Sequence, residues 1–135
     1  MKRIIQAKNI PEIEPFLDSF SIDHSLKKAV QEIPLLYGNP EEVLSRAETI
    51  VYNEQMKHAL TTLREIHQIL DDYNVTNHIV IDLGLINHMD YYSGVTFQGF
   101  IENIGKPVLM GGRYDQLANQ FSANIPAIGF AFEIE

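Results

Sequence analysis

The apolar residues of this 135-residue chain change their spacing near residue 76, and that change restricts the fold more than any other feature. Before it, apolar residues recur every three or four positions, as in amphipathic helices. After it, β-branched residues gather in short runs separated by turn residues, as in strands. We therefore predict the α+β class, with a helical segment over residues 1–76 and part of an antiparallel sheet domain over residues 77–135.

The first segment contains the patterns of three successive helices. Apolar spacing predicts one over residues 11–20 and another over residues 23–33. Asn39-Pro40-Glu41-Glu42 predicts a third helix start, because asparagine caps free N–H groups and proline suits the first helical position. This helix should end near Ile50.

A fourth helix should begin after Asn53 and end near Tyr73, with one continuous apolar stripe. His67 lies in that stripe. A metal-binding or catalytic role for His67 is an open alternative, but a half-buried histidine with a local hydrogen bond is the commoner situation. We therefore interpret His67 as structural.

The second segment has the pattern of strands joined by short turns. Residues 102–106 have the composition of a hairpin turn. Gly111-Gly112 should end the strand that precedes these two glycines, and a short helix should span residues 114–121. Short turns between successive strands predict antiparallel pairing. The strands are predicted over residues 78–86, 91–100, 107–110 and 127–134.

Composition excludes several functions. The net charge of −8 is shared by both halves, and such a surface repels phosphate backbones, so we expect no nucleic-acid partner. No apolar run approaches the length of a membrane span, so no membrane association is expected. Without cysteine there is no disulfide, thiolate metal site or thiol nucleophile, which fits a cytoplasmic protein.

Three short groups of residues can recognise a small molecule. They are Asp90-Tyr91-Tyr92-Ser93-Gly94, Gly111-Gly112-Arg113-Tyr114-Asp115, and the strand residues around Gly129. A tyrosine hydroxyl can donate to or accept from an imidazole nitrogen, and a glycine in a strand allows a close approach. Each group taken alone is more often structural, since tyrosine pairs pack on sheets and Gly-Gly forms turns.

The order of these groups resembles that of the histidyl-tRNA synthetase family. There the first block reads Leu-Val-Arg-Gly-Leu-Asp-Tyr-Tyr-Thr-Gly, against residues 85–94 here, and the second reads Gly-Gly-Arg-Tyr-Asp-x-Leu, against residues 111–117. The resemblance covers about residues 79–135, and residues 1–76 match by position alone. It implies part of an antiparallel class II aminoacyl-tRNA-synthetase-like sheet.

The resemblance also implies a histidine-binding site without a metal or cofactor. Tyr92 and Tyr114 would contact the imidazole. The residues that support or wall the pocket, or give clearance beside it, would be Tyr91, Met89, Gly111, Gly112 and Gly129. Arg113 would be structural or the partner of a carboxylate.

One position departs from the synthetase pattern. The family has arginine and then glycine where this chain has Asn87 and His88. By the resemblance, that arginine counters charge on the carboxylate and phosphate during adenylate formation, which a neutral asparagine cannot do. A chain that keeps the pocket but loses the arginine resembles the non-catalytic regulatory subunit of ATP phosphoribosyltransferase, so we expect no catalytic residue.

This second resemblance implies a histidine-sensing subunit that joins the catalytic subunit of ATP phosphoribosyltransferase in a hetero-oligomer. It would be required for the first step of histidine biosynthesis and for feedback inhibition by histidine. Self-dimerisation is also expected. We further expect the chain to lack the N- and C-terminal parts of the whole protein, with other pocket residues upstream of Met1.

Two alternatives remain open on the sequence. The chain could be a fragment of a catalytic histidyl-tRNA synthetase, an ATP-dependent histidine–tRNA ligase with an unusual loop. It could also be a structural interaction domain that keeps the family motifs for packing. Asn87 and the acidic surface favour the regulatory subunit over the synthetase.

Overall fold

The computed structural model describes residues 24–85, 92–116, 121 and 125–133. The chain divides into two compact units between residues 86 and 87. In the first unit, the described helices are α1 (His24–Glu32), α2 (Pro40–Glu48) and α3 (Glu54–Asp72), with 3-10 helices at Ile33–Leu35 and Thr76–His78. Its strands β1 (Tyr37–Gly38) and β2 (Ile81–Asp82) pair antiparallel.

The predicted starts of α2 and α3 are confirmed at both asparagines. The Asn39 side chain accepts hydrogen bonds from the backbone N–H groups of Glu41, at 3.0 Å, and Glu42, at 3.4 Å. The Asn53 side chain accepts from Met56 N–H at 2.8 Å. These bonds satisfy N–H groups that no carbonyl within the helix can reach.

The other two helix predictions have different outcomes. The helix predicted over residues 23–33 is confirmed as α1. The helix predicted over residues 11–20 lies outside the described residues. Among the residues that the structure describes, no helix combines the length and the apolarity that crossing a bilayer requires.

The core of the first unit lies where α1, α2 and the β1–β2 pair meet. Leu83 N–H donates to Leu36 O at 3.0 Å, which ties the end of β2 to the residue before β1. Partly buried residues of α3, including Met56 and Leu60, pack against the core. The buried members of this cluster are Ala29, Leu36, Val43, Ala47 and Ile50.

His67 is half-buried as predicted, with a side chain 12% exposed, but its partner is not local. Its Nε2 lies 3.1 Å from Glu41 Oε1 on α2. Arg64, also on α3, lies 2.6 Å from Glu48 and 3.6 Å from Glu41. These contacts link the polar faces of α2 and α3, and they support the structural interpretation of His67.

The strand predicted over residues 78–86 is wrong in its extent, since β2 contains only Ile81 and Asp82. His78 belongs to a 3-10 helix. The Asp82 carboxylate accepts a hydrogen bond from Gly84 N–H at 2.9 Å, which turns the chain directly after the strand. Local turn chemistry therefore overrides the β-branched composition of this stretch.

In the second unit, the described strands form an antiparallel sheet in the order β3 (Thr96–Gly99), β4 (Leu109–Arg113) and β5 (Ile128–Phe132). The predicted hairpin turn is confirmed between β3 and β4: Ile104 N–H donates to Ile101 O at 3.2 Å, and Asn103 has a φ of 69°. The predicted strands over residues 91–100, 107–110 and 127–134 correspond to β3, β4 and β5, with narrower or shifted ends.

Two predictions in this unit are wrong or incomplete. Gly111 and Gly112 do not break a strand, because both lie inside β4 and pair with β3 and β5. Glycine is needed there for close packing instead of for a turn. Tyr114, Asp115 and Gln116 are not helical, and the rest of the helix predicted over residues 114–121 lies largely outside the described residues.

The core of the first unit can be tested at two adjacent leucines. Leu36 is 0% exposed whereas Leu35 is 49% exposed. Leu36→Ala should lower the free energy of unfolding by about 2–5 kcal/mol, because it removes buried methyl groups and leaves a cavity. Leu35→Ala should change it by less than about 1 kcal/mol. Urea denaturation of the full-length protein measures both, and equal losses would contradict this core.

Candidate functional site

The register of the β3–β4–β5 sheet assigns its residues to two faces. Residues directly opposite each other on antiparallel strands point to the same face, and successive residues of a strand alternate between faces. The face that we call the glycine face carries the paired residues Thr96, Gly112 and Gly129. The opposite face carries the paired residues Phe97, Gly111 and Phe130.

On the glycine face, the ring of Tyr92 lies directly on the backbone of Gly112. A Cβ atom at Gly112 would come within 2.6 Å and 2.8 Å of two ring carbons of Tyr92, and within 2.9 Å of Val95 O. Bonded neighbours aside, real Cβ atoms do not approach so closely, and a backbone oxygen cannot rotate away. Only glycine therefore fits under this ring.

Tyr114 occupies the neighbouring position on the same face. Its hydroxyl oxygen lies 2.9 Å from where a Cβ atom of Gly129 would be. Its backbone N–H donates to Ala127 O at 2.7 Å, next to the start of β5. Gly112 and Gly129 are cross-strand partners, so the two contact points are about 5 Å apart. We call Tyr92 and Tyr114 the tyrosine pair.

Three residues beside the tyrosine pair form a set of hydrogen bonds that we call the serine clasp: Ser93, Arg113 and Asp115. Ser93 N–H donates to Arg113 O, and Asp115 N–H donates to Ser93 Oγ, both at 2.9 Å. Arg113 Nε donates to the two Asp115 carboxylate oxygens at 2.9 Å and 3.0 Å. Arg113 is thus the partner of a carboxylate within its own motif.

The opposite face of the sheet is apolar. A Cβ atom at Gly111 would lie 2.6 Å from the ring of Phe97 and 2.8 Å from Phe130 Cβ. Phe130 and Phe132 contact edge to face, with ring centroids 5.3 Å apart. The adjacent glycines of β4 therefore have different partners, because Gly111 accommodates phenylalanines and Gly112 accommodates a tyrosine.

The structure brings together four of the predicted site residues: Tyr92, Tyr114, Gly112 and Gly129. Gly111 lies in the same strand, but its missing side chain would point to the opposite face. Met89 and Tyr91, together with Asn87, lie outside the described residues. Among the described residues, no cluster of three histidine or acidic side chains could hold a metal ion.

Sequence reasoning missed three other residues on the glycine face. Thr96 pairs with Gly112, while Gln98 pairs with Met110 two positions further along the strands. Counting in steps of two from Gly112 would have found Met110, once β4 was known to continue through the glycines. The resulting surface offers phenol, hydroxyl and amide groups, which suit a small ligand with a planar polar ring.

Comparison with known proteins identifies the class to which this fold belongs. A family model described as histidyl-tRNA synthetase matches residues 1–135. The chain therefore belongs to the histidyl-tRNA synthetase family, and the resemblance seen in its motifs is confirmed.

Within that family, the chain is similar to proteins named ATP phosphoribosyltransferase regulatory subunit. That of Oceanobacillus iheyensis is 53% identical over 132 residues, which cover 98% of this chain and 33% of the relative. That of Acetivibrio thermocellus is 38% identical over 134 residues, which cover 99% of this chain and 32% of the relative. The chain spans about a third of the length of these curated relatives.

Two solved structures share the fold. One, described as an ATP phosphoribosyltransferase regulatory subunit/histidyl-tRNA synthetase from Bacillus halodurans, has a TM-score of 0.84 and 29% identity, and the match covers 96% of this chain and 34% of that one. The other, a histidine–tRNA ligase subunit from Alicyclobacillus acidocaldarius, has a TM-score of 0.72 and 25% identity, with 97% and 43% covered. The α+β fold with antiparallel sheets is therefore of the synthetase type.

The contact between Gly112 and Tyr92 can be tested by alanine substitution, with a glycine that has no close neighbour as the control. Gly112→Ala should lower the free energy of unfolding by about 1–3 kcal/mol, because the added methyl group meets a ring and a backbone oxygen. Gly105→Ala should change it by no more than about 0.5 kcal/mol, since nothing lies within 4 Å of a Cβ atom there. Urea denaturation of the full-length protein measures both. Equal stability of the two variants would show that Tyr92 does not rest on Gly112.

Proposed function

We propose that the protein is the histidine-sensing regulatory subunit of ATP phosphoribosyltransferase. In this role it is required for the first step of histidine biosynthesis and for inhibition of that step by histidine. The observation that carries the proposal is the tyrosine pair on the Gly112–Gly129 backbone, in a chain 53% identical to a protein of that name.

Histidine matches the chemistry of the glycine face. Its imidazole is planar, with one donor and one acceptor nitrogen when neutral, and a tyrosine hydroxyl can serve either. Two phenols that rest on neighbouring backbone positions can contact the edge or the face of such a ring. Ligand sites typically combine an apolar surround with a few well-placed polar groups, and Tyr91 and Met89 would complete that surround.

The protein in this proposal binds histidine without activating it. Asn87 stands where the synthetase motif has an arginine, and an uncharged amide cannot offset the negative charge of the carboxylate and phosphate during adenylation. Feedback inhibition then requires two states of the complex with different affinities for histidine. The partner in this complex is the catalytic subunit of the transferase, whose activity differs between the two states.

A second candidate function is that of a catalytic histidyl-tRNA synthetase. The similarity to the Alicyclobacillus acidocaldarius histidine–tRNA ligase subunit favours it, as does the name of the matching family model. Asn87 argues against it, because the synthetase needs the positive charge that this position lacks. The two candidates differ in a measurable reaction, which is histidine-dependent exchange between ATP and pyrophosphate.

Reconstitution with the catalytic subunit tests the proposal. The full-length protein should restore phosphoribosyl transfer to ATP, and histidine should inhibit the complex. Tyr114→Phe should raise the histidine concentration for half-inhibition by about tenfold, because it removes one hydrogen-bonding hydroxyl, and should leave the restored activity unchanged. Tyr73→Phe, at a residue 74% exposed on the first unit, should change neither quantity.

Two results would contradict the proposal. One is a catalytic subunit whose activity is the same with and without the full-length protein. The other is histidine-dependent ATP–pyrophosphate exchange by the full-length protein alone, which would identify a synthetase. If histidine inhibits the complexes of Tyr114→Phe and of the unchanged protein equally, the regulatory role stands. Tyr114 is then excluded as a contact of histidine.

A further inference from the structure

We propose that Ser93 is a positioning residue that fixes the two members of the tyrosine pair relative to each other through the serine clasp. The positioning itself rests on contacts within the second unit. Its consequence for histidine rests on the proposed function, so the two are tested by separate measurements below.

Ser93 joins the two chain segments that carry the tyrosines. It directly follows Tyr92, and its two hydrogen bonds reach the residues on either side of Tyr114. Its N–H donates to the carbonyl of Arg113, and its hydroxyl accepts from the N–H of Asp115, both at 2.9 Å. Tyr114 is therefore held from both sides by the neighbour of Tyr92.

The two bonds have different sequence requirements. The bond from Ser93 N–H uses only backbone atoms, so any residue except proline can make it. The bond from Asp115 N–H needs an acceptor on the side chain at position 93, close to the backbone, which serine and threonine provide and alanine does not. The hydroxyl is therefore the part of Ser93 that a substitution can remove selectively.

Arg113 supports the clasp from the other face of the sheet. It follows Gly112 and pairs with Ile128, so its side chain points away from the glycine face. A Cβ atom at Gly94 would lie 3.1 Å from Arg113 Cδ, and the Arg113 Nε contacts both Asp115 carboxylate oxygens. The guanidinium thus orients Asp115, whose backbone N–H donates to the Ser93 hydroxyl. It lies on the face of the sheet opposite the tyrosines.

The clasp is partly exposed to solvent, and this separates positioning from folding. Ser93 and Arg113 are exposed and Asp115 is partly so. Exposed hydrogen bonds and ion pairs contribute little to global stability. Loss of the Ser93 hydroxyl should therefore loosen the tyrosine pair while the sheet stays folded.

Fluorine NMR of the full-length protein labelled with fluorotyrosine measures the positioning without a ligand. Tyr92→Phe and Tyr114→Phe assign the two signals. Ser93→Ala should shift or broaden the Tyr114 signal, whereas Ser93→Thr should restore it, because threonine keeps the acceptor. Ser45→Ala, at an exposed serine of α2, should leave both signals unchanged. An unchanged Tyr114 signal in Ser93→Ala would overturn the inference, as would a Ser93→Thr protein whose Tyr114 signal is altered as much as that of Ser93→Ala.

Calorimetry with histidine on the same proteins then measures the consequence. Ser93→Ala should weaken histidine binding by about three- to tenfold, which is the scale of one lost hydrogen bond, and Ser93→Thr should bind as the unchanged protein does. If the signals respond as expected but the unchanged protein binds no histidine, the clasp stands and histidine sensing fails. If histidine binds equally to Ser93→Ala and its signals are unchanged, the clasp fails and histidine sensing stands.

Discussion

The paired glycines Gly112 and Gly129 are the feature on which the glycine face depends. A Cβ atom at Gly112 would collide with the Tyr92 ring and the backbone of Val95, and one at Gly129 would force the Tyr114 hydroxyl to shift. Because neither glycine has a side chain, bare backbone is left on two adjacent strands, and both members of the tyrosine pair rest on it. The same two glycines thus determine where two phenol groups meet, and the candidate site follows from that placement.

Gly111 and Gly112 show how one strand serves two faces. Neighbouring residues of a strand point in opposite directions, so adjacent glycines create a recess on each side of the sheet. Gly111 receives phenylalanine on the apolar face, and Gly112 receives Tyr92 on the polar one. In the rest of the Gly-Gly-Arg-Tyr-Asp motif, Arg113 points away from the site and Tyr114 packs on it. Each residue of the motif therefore has a physical role.

Local chemistry was predictable from the sequence, and long-range pairing was not. Asn39 and Asn53 cap their helices through bonds to residues two and three positions away, so their patterns suffice. Gly111-Gly112 was predicted to end a strand because the sequence does not reveal that Phe97 and Tyr92 need the space. Ser93 belongs to one of the predicted recognition groups, but the sequence does not reveal its bond to Asp115 for the same reason, since Asp115 lies 22 positions further along. The tyrosines themselves were found through the family motif rather than through periodicity.

A crystal structure of the full-length protein with histidine tests the account most directly. We expect the imidazole on the glycine face, against Tyr92 and Tyr114, with Arg113 still paired to Asp115 on the other side of the sheet. Histidine bound elsewhere, or an Arg113 guanidinium that leaves Asp115 to contact the ligand, would contradict the roles assigned here to the glycine face and the serine clasp.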